Sequence, residues 1–100
     1  MTRARVRVQI SGSPQYIAPE HAQGKPIDHR VDLYSLGVTW YQLLAGETPF
    51  NAGSAREVIL KHIHEEPPPL AERAPEVGAD VCALIAKLMA KDPEQRIPSA

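Results

Sequence analysis

The chain is poor in the residues that usually announce a chemistry. A single cysteine in 100 residues, Cys82, excludes an internal disulfide and any cysteine-built metal site. It falls within an apolar helical pattern and reads as a small buried side chain, as suits a reducing compartment. There is no excess of either charge, since eleven Lys and Arg against twelve Asp and Glu leave a net charge of -1. That balance points to neither nucleic acid nor an acidic surface as partner. No apolar stretch near the N-terminus resembles a signal peptide, so a cytoplasmic location is expected. The longest apolar segment lies between Asp32 and Glu47. Its length of about 14 residues gives ~21 Å of helix, short of the ~30 Å of a bilayer core, and no membrane span is expected in this segment.

Several catalytic motifs are missing as well. Neither G-x-G-x-x-G nor G-x-x-x-x-G-K occurs, so no glycine-rich phosphate loop is present. There is no G-x-S-x-G, and Ser35 lies inside an apolar helical pattern. The densest histidine cluster is His62 and His64, followed by Glu65 and Glu66. Residues two apart on a helix point in different directions, whereas a shared metal needs neighbours at three or four. His21 and His29 stand in loops, and no metal site is expected.

With 43% apolar residues the chain can build one core, burying roughly two thirds of its unfolded surface. The segment Val31 to Ala45 is its natural axis. Leu33, Leu36, Trp40, Leu43 and Leu44 recur at spacings of three and four, while Val38, Thr39 and Tyr41 put bulk on the other side. A helix apolar nearly all round is a core helix wrapped by other elements. Asp28 or Asp32 can cap its start, and Gly46 followed by Pro49 ends it.

Ahead of this helix, residues 1–11 alternate Arg3, Arg5 and Arg7 with Val6, Val8 and Ile10, a pattern of two that suits a strand with one basic face. No second strand signal follows, so this extension pairs with something outside the chain or stays irregular. Its arginines read as solvated, with a nucleic-acid arm as the alternative. Pro19 and Glu20 open a short helical turn that ends before Gly24. Ser54 with Glu57 forms a capping box for a helix through about His64, with Val58, Ile59 and Ile63 inward. Pro67 to Pro69 stop it and form an extended segment. Asp80 caps a last helix that carries Val81, Leu84, Ile85, Leu88 and Met89 on one stripe, until Asp92-Pro93 ends it. The expected fold is mainly α.

One constellation carries more than architecture. Gly12-Ser13-Pro14-Gln15-Tyr16-Ile17-Ala18-Pro19-Glu20 is followed by Asp32-Leu33-Tyr34-Ser35-Leu36-Gly37, then Gly46-Glu47-Thr48-Pro49-Phe50, then Asp92-Pro93-Glu94-Gln95-Arg96. In this order the set resembles the end of the activation segment and the following part of eukaryotic-type protein kinases, whose motifs include Ala-Pro-Glu. The style is that of bacterial serine/threonine kinases, and the resemblance covers residues 12–100, leaving 1–11 as a basic extension. It implies a partial kinase large lobe, with a central buried helix plus two or three shorter ones.

The resemblance also assigns roles. Ser13, Pro14 and Tyr16 match the substrate-binding loop, with Ser13 at the hydroxyl position that helps set Ser/Thr acceptance. Glu20 matches the carboxylate that pairs with the arginine matched by Arg96, which leads us to expect a bidentate, poorly exposed pair. Asp32 matches the carboxylate that holds the backbone of the catalytic loop. With that loop's motifs missing, Asp32 is expected to cap the central helix and meet water.

Phosphoryl transfer further requires a phosphate-covering loop, a strand lysine with its glutamate, a catalytic Asp and Asn, and the Asp of Asp-Phe-Gly. None of these motifs occurs in this sequence. The expected catalytic residues and cofactors are therefore none in this chain, with ATP and Mg belonging to the intact family. Met1 reads as an internal start or a fragment boundary. The chain is expected to be an inactive piece of a serine/threonine kinase or, alternatively, a protein-binding module using the substrate-side surface. Its expected partners are protein substrates or the missing part of the kinase. Self-association is also expected, because large apolar residues of the central helix lose their family cover.

Overall fold

The computed structural model describes residues 14–96, a run of helices joined by short loops with no strand among the described residues. The expected strand in residues 1–11 and the loop residues Gly12 and Ser13 lie outside that range. A 3-10 turn at Pro14–Tyr16 leads into helix α1 (Pro19–Ala22), followed by α2 (Arg30–Ala45), α3 (Ala55–His64), α4 (Leu70–Arg73) and α5 (Ala79–Leu88), and a second 3-10 turn at Pro93–Gln95. No helix among the described residues is long and apolar enough to cross a membrane.

Local chemistry accounts for most of these limits. Pro19 opens α1, where its missing N–H costs nothing. The hydroxyl of Ser54 accepts a bond from the Glu57 amide at the head of α3. Gly46 ends α2 in the left-handed conformation at φ 83°, which a side chain would resist. The short helix α4, directly after the three prolines, was not foreseen. Four residues carry too little periodicity to register, and Leu70 holds the turn in place by burying against the core.

The core lies on one side of α2. Val31, Tyr34, Val38 and Tyr41 face Ala18, Leu70, Ala74, Ile85 and Met89. The expected all-round wrapping is corrected by the structure: Leu36, Trp40, Leu43 and Leu44 are exposed, Leu43 at 75%. Both faces of α2 are apolar, and α1, α4 and α5 gather on the face that carries Tyr34 and Tyr41. Close approach of α2 to α5 depends on Gly37, where a Cβ would stand 2.8 Å from Leu88 Cβ and from Met89 Cγ. In α5, Ile85, Leu88 and Met89 are buried as expected, whereas Leu84 is exposed.

Candidate functional site

The site begins with the Pro14–Tyr16 turn, which is tied down from several elements. Ser35 of α2 donates to the Tyr16 carbonyl at 2.7 Å, and the Tyr16 hydroxyl donates to Gln42, about two turns further along the same face of the helix. Thr48, in the loop after α2, donates to the Gln15 side chain at 3.2 Å. From α3, His62 Nε2 lies 2.9 Å from the Gln15 carbonyl. This three-residue turn is thereby held to two helices and a loop. Of the expected substrate-binding residues, Pro14 and Tyr16 stand in this turn, and Ser13 lies outside the described range.

His62 is completely buried. Its tautomer follows from its partners, because the Gln15 carbonyl can only accept. Nε2 therefore carries the proton, and Nδ1 accepts from the Tyr34 hydroxyl at 2.7 Å. Phe50 presents its ring edge-on at 4.9 Å between centroids. Lys91 donates to the His62 carbonyl at 2.8 Å. Burial pushes the His62 imidazolium down to about 4 and raises the Tyr34 phenol, so both rings are neutral around pH 7.

The stability consequence has a definite sign. Unfolded His62 takes up a proton as pH falls through its ordinary 6.5, whereas the folded ring resists until about 4. This contribution is whole above pH 6.5 and is lost on acidification towards pH 4, by about 3 kcal/mol in total. Urea unfolding of the wild-type chain and His62→Gln at pH 7.5 and pH 4.5 checks this. The wild type is expected to lose more stability than the variant by about that amount.

Beneath the turn sits an ion pair joining the two ends of the described chain. Arg96 donates from Nη1 to Glu20 Oε2 at 2.6 Å and from Nη2 to Glu20 Oε1 at 2.9 Å. The Arg96 side chain is 0% exposed and that of Glu20 7%. The remaining donors are engaged too: Nε bonds the Ala90 carbonyl at 2.7 Å and Nη1 the Arg30 carbonyl at 2.9 Å. The guanidinium also lies 5.0 Å from the centre of the Tyr34 ring. A planar fork with its donors satisfied and its charge matched by a carboxylate is the arrangement in which a buried arginine is tolerable.

Asp32 is half-buried, as expected of a side chain that meets water, but its expected capping role is not seen. It does not cap α2. The Val31 and Asp32 amides bond to the backbone carbonyls of Asp28 and His29, and the Asp28 carboxylate takes the Arg30 amide at 2.9 Å. No free amide remains for Asp32 at the helix start. Its Oδ1 is buried and has no hydrogen-bond partner among the described residues, a condition that calls for a donor.

The family described as "Protein kinase domain" matches residues 2–100. The chain belongs to the protein kinase family. The matched span starts ahead of the expected boundary at residue 12. Among similar proteins are serine/threonine-protein kinase pkn3 of Myxococcus xanthus, 42% identical over 91% of this chain, and PknB of Mycobacterium tuberculosis, 41% identical over 91%. PknJ of Mycobacterium tuberculosis is 47% identical over 85%. This chain spans only 17%, 14% and 15% of those relatives' lengths. The solved twitchin kinase region from C. elegans superposes with a TM-score of 0.77 at 30% identity, over 83% of this chain and 15% of that one. The helices described here thus resemble part of a kinase large lobe, and the bacterial relatives are named as serine/threonine kinases.

Several residues that hold the turn were not singled out from the sequence. His62 was read only as a candidate metal ligand, and Ser35 only as a candidate nucleophile and as part of the Asp32–Gly37 motif. Gln15, Gln42 and Thr48 drew no reading as partners of the turn. The spacing of four between Val58 and His62 was the available signal, since it puts both on one face of α3.

Proposed function

We propose that this chain forms the substrate-side part of a serine/threonine protein kinase lobe, which in the intact protein directs ATP-dependent phosphorylation of protein Ser or Thr. The observation that carries this reading is the Pro14–Tyr16 turn held to α2 and α3 above the Glu20–Arg96 pair. Pro14 and Tyr16, with Ser13 before them, receive the protein substrate. Glu20 and Arg96 fix the segment to the base of the lobe. Asp32, whose buried Oδ1 has no hydrogen-bond partner among the described residues, accepts from the catalytic loop of the intact protein.

The residues in hand do not fit ATP and magnesium. Among the described residues, no three His, Cys, Asp or Glu side chains converge on a metal position, and the phosphate-loop motifs are missing from the sequence. Nucleotide and metal are held by other parts of the intact kinase. By itself the chain is inactive, because catalysis in this class rests on positioning and charge stabilisation of the phosphoryl group. A second reading, a protein-binding module, uses the same tethered turn without nucleotide.

Titration of Mg-ATP into the purified chain in a calorimeter tests the assignment. No saturable heat is expected up to millimolar nucleotide, and stoichiometric binding would reveal a nucleotide site formed by these residues.

A further inference from the structure

We propose that His62 is a positioning residue: through its Nε2–H it sets the Gln15 carbonyl, and so the substrate-facing turn, while Tyr34 fixes the tautomer that makes this possible. The inference rests on the kinase reading for the meaning of the turn, but not for the linkage itself. Three groups on three elements form a directed chain in which the Tyr34 hydroxyl of α2 donates to Nδ1 of His62 in α3 at 2.7 Å, and Nε2–H donates to Gln15 at 2.9 Å. The direction cannot reverse, because a carbonyl has no proton to give.

A buried imidazole is an awkward filler for an apolar core, since each ring nitrogen needs a partner. Leucine would fill such a space at no polar cost. Here both nitrogens are satisfied, and one partner is backbone of the very turn that faces substrate. The ring is also braced against sliding: Phe50 and Tyr34 meet it at interplanar angles of 80° and 68°. Lys91 holds the His62 carbonyl and so fixes the C-terminal part of α3. A small displacement of α3 therefore moves the Gln15 carbonyl with it. Among the described residues the other side-chain hydrogen bonds to the turn come from α2 and from Thr48 in the loop that follows it, and His62 supplies the one from α3.

Two measurements on the 100-residue chain decide the matter. Nitrogen-detected NMR of the imidazole is expected to show a neutral ring protonated at Nε2. A ring protonated at Nδ1 overturns the proposal without any variant being made. Limited chymotrypsin digestion then compares cleavage after Tyr16 with cleavage after Tyr41, which lies in the core and reports global opening. In His62→Leu, cleavage after Tyr16 is expected to rise roughly tenfold relative to that after Tyr41, the share of one buried hydrogen bond. In His62→Gln, whose amide can still donate to Gln15, the ratio returns towards wild type. Equal acceleration at both sites in both variants would make His62 a structural residue only and overturn the proposal. Failure of the kinase reading shows elsewhere, as absence of phosphate transfer by the intact protein, and leaves these two results unchanged.

Discussion

Replacing Arg96 with methionine is expected to cost the fold about 3 to 5 kcal/mol, because Glu20 is left buried and charged without its partner. The loss is large against the ~5 to 15 kcal/mol that holds typical domains together. Removing the guanidinium also frees the Ala90 and Arg30 carbonyls, which bond it at 2.7 and 2.9 Å. Lysine is not a substitute. Its single ammonium cannot span both carboxylate oxygens and two carbonyls at once, so Arg96→Lys is expected to recover less than half of the loss. Glu20→Gln keeps the shape and removes the charge, and should be nearly as harmful, since Arg96 then lies buried and uncompensated. The double variant Glu20→Gln/Arg96→Met should be less damaging than the two single costs added together, with a coupling of ~1 to 3 kcal/mol. Urea unfolding of the wild type and the four variants measures this. Single-variant losses below about 1 kcal/mol would mean that the pair is not buried in solution.

The second large effect concerns the exposed face of α2. Trp40 is 41% and Leu43 75% exposed, with Leu36 and Leu44 beside them on one surface. Each such side chain gives roughly 1.5 to 3 kcal/mol when covered, and contiguous exposure of this kind favours association. The chain by itself is expected to self-associate at micromolar concentration. Trp40→Ser together with Leu43→Glu should weaken that association by two to four orders of magnitude, as ~3 to 6 kcal/mol implies. These positions lie away from the core face of Val31, Tyr34, Val38 and Tyr41, so helicity should be unchanged. Sedimentation equilibrium checks both parts, and a wild-type chain that is monomeric throughout would show that the face needs no cover.

How much was legible beforehand varied with the range of the interaction. The ends of α2 and α3 rest on near neighbours, and the glycine at Gly46 and the Ser54–Glu57 pair could be read directly. The buried face of α2 could not. Leucines and a tryptophan line one side, tyrosines and valines the other, and only the packing of the neighbouring elements decides that Tyr34 and Tyr41 go inside while Trp40 stays out.

The site was harder still to read. Glu20 and Arg96 are 76 residues apart, and no local pattern links them, so their pairing was expected only from the family likeness. His62, among charged neighbours in a His-Ile-His-Glu-Glu stretch, carried the look of a surface residue. Its burial depends on Gln15 and Tyr34, at separations of 47 and 28 residues. Asp32 was expected to cap the central helix, but that place is filled by Asp28 and the local backbone.

The most direct measurement is radiolabel transfer by a chimera in which the corresponding segment of a bacterial serine/threonine kinase such as PknB is replaced by residues 12–100. The chimera should phosphorylate Ser or Thr, not Tyr, in a generic protein substrate, and Arg96→Met within it should abolish transfer, while the 100-residue chain assayed alone gives none. A chimera that folds cooperatively yet transfers no phosphate, or transfer by the isolated chain after rigorous removal of host kinases, would contradict the assignment of these helices as the substrate-side part of a kinase.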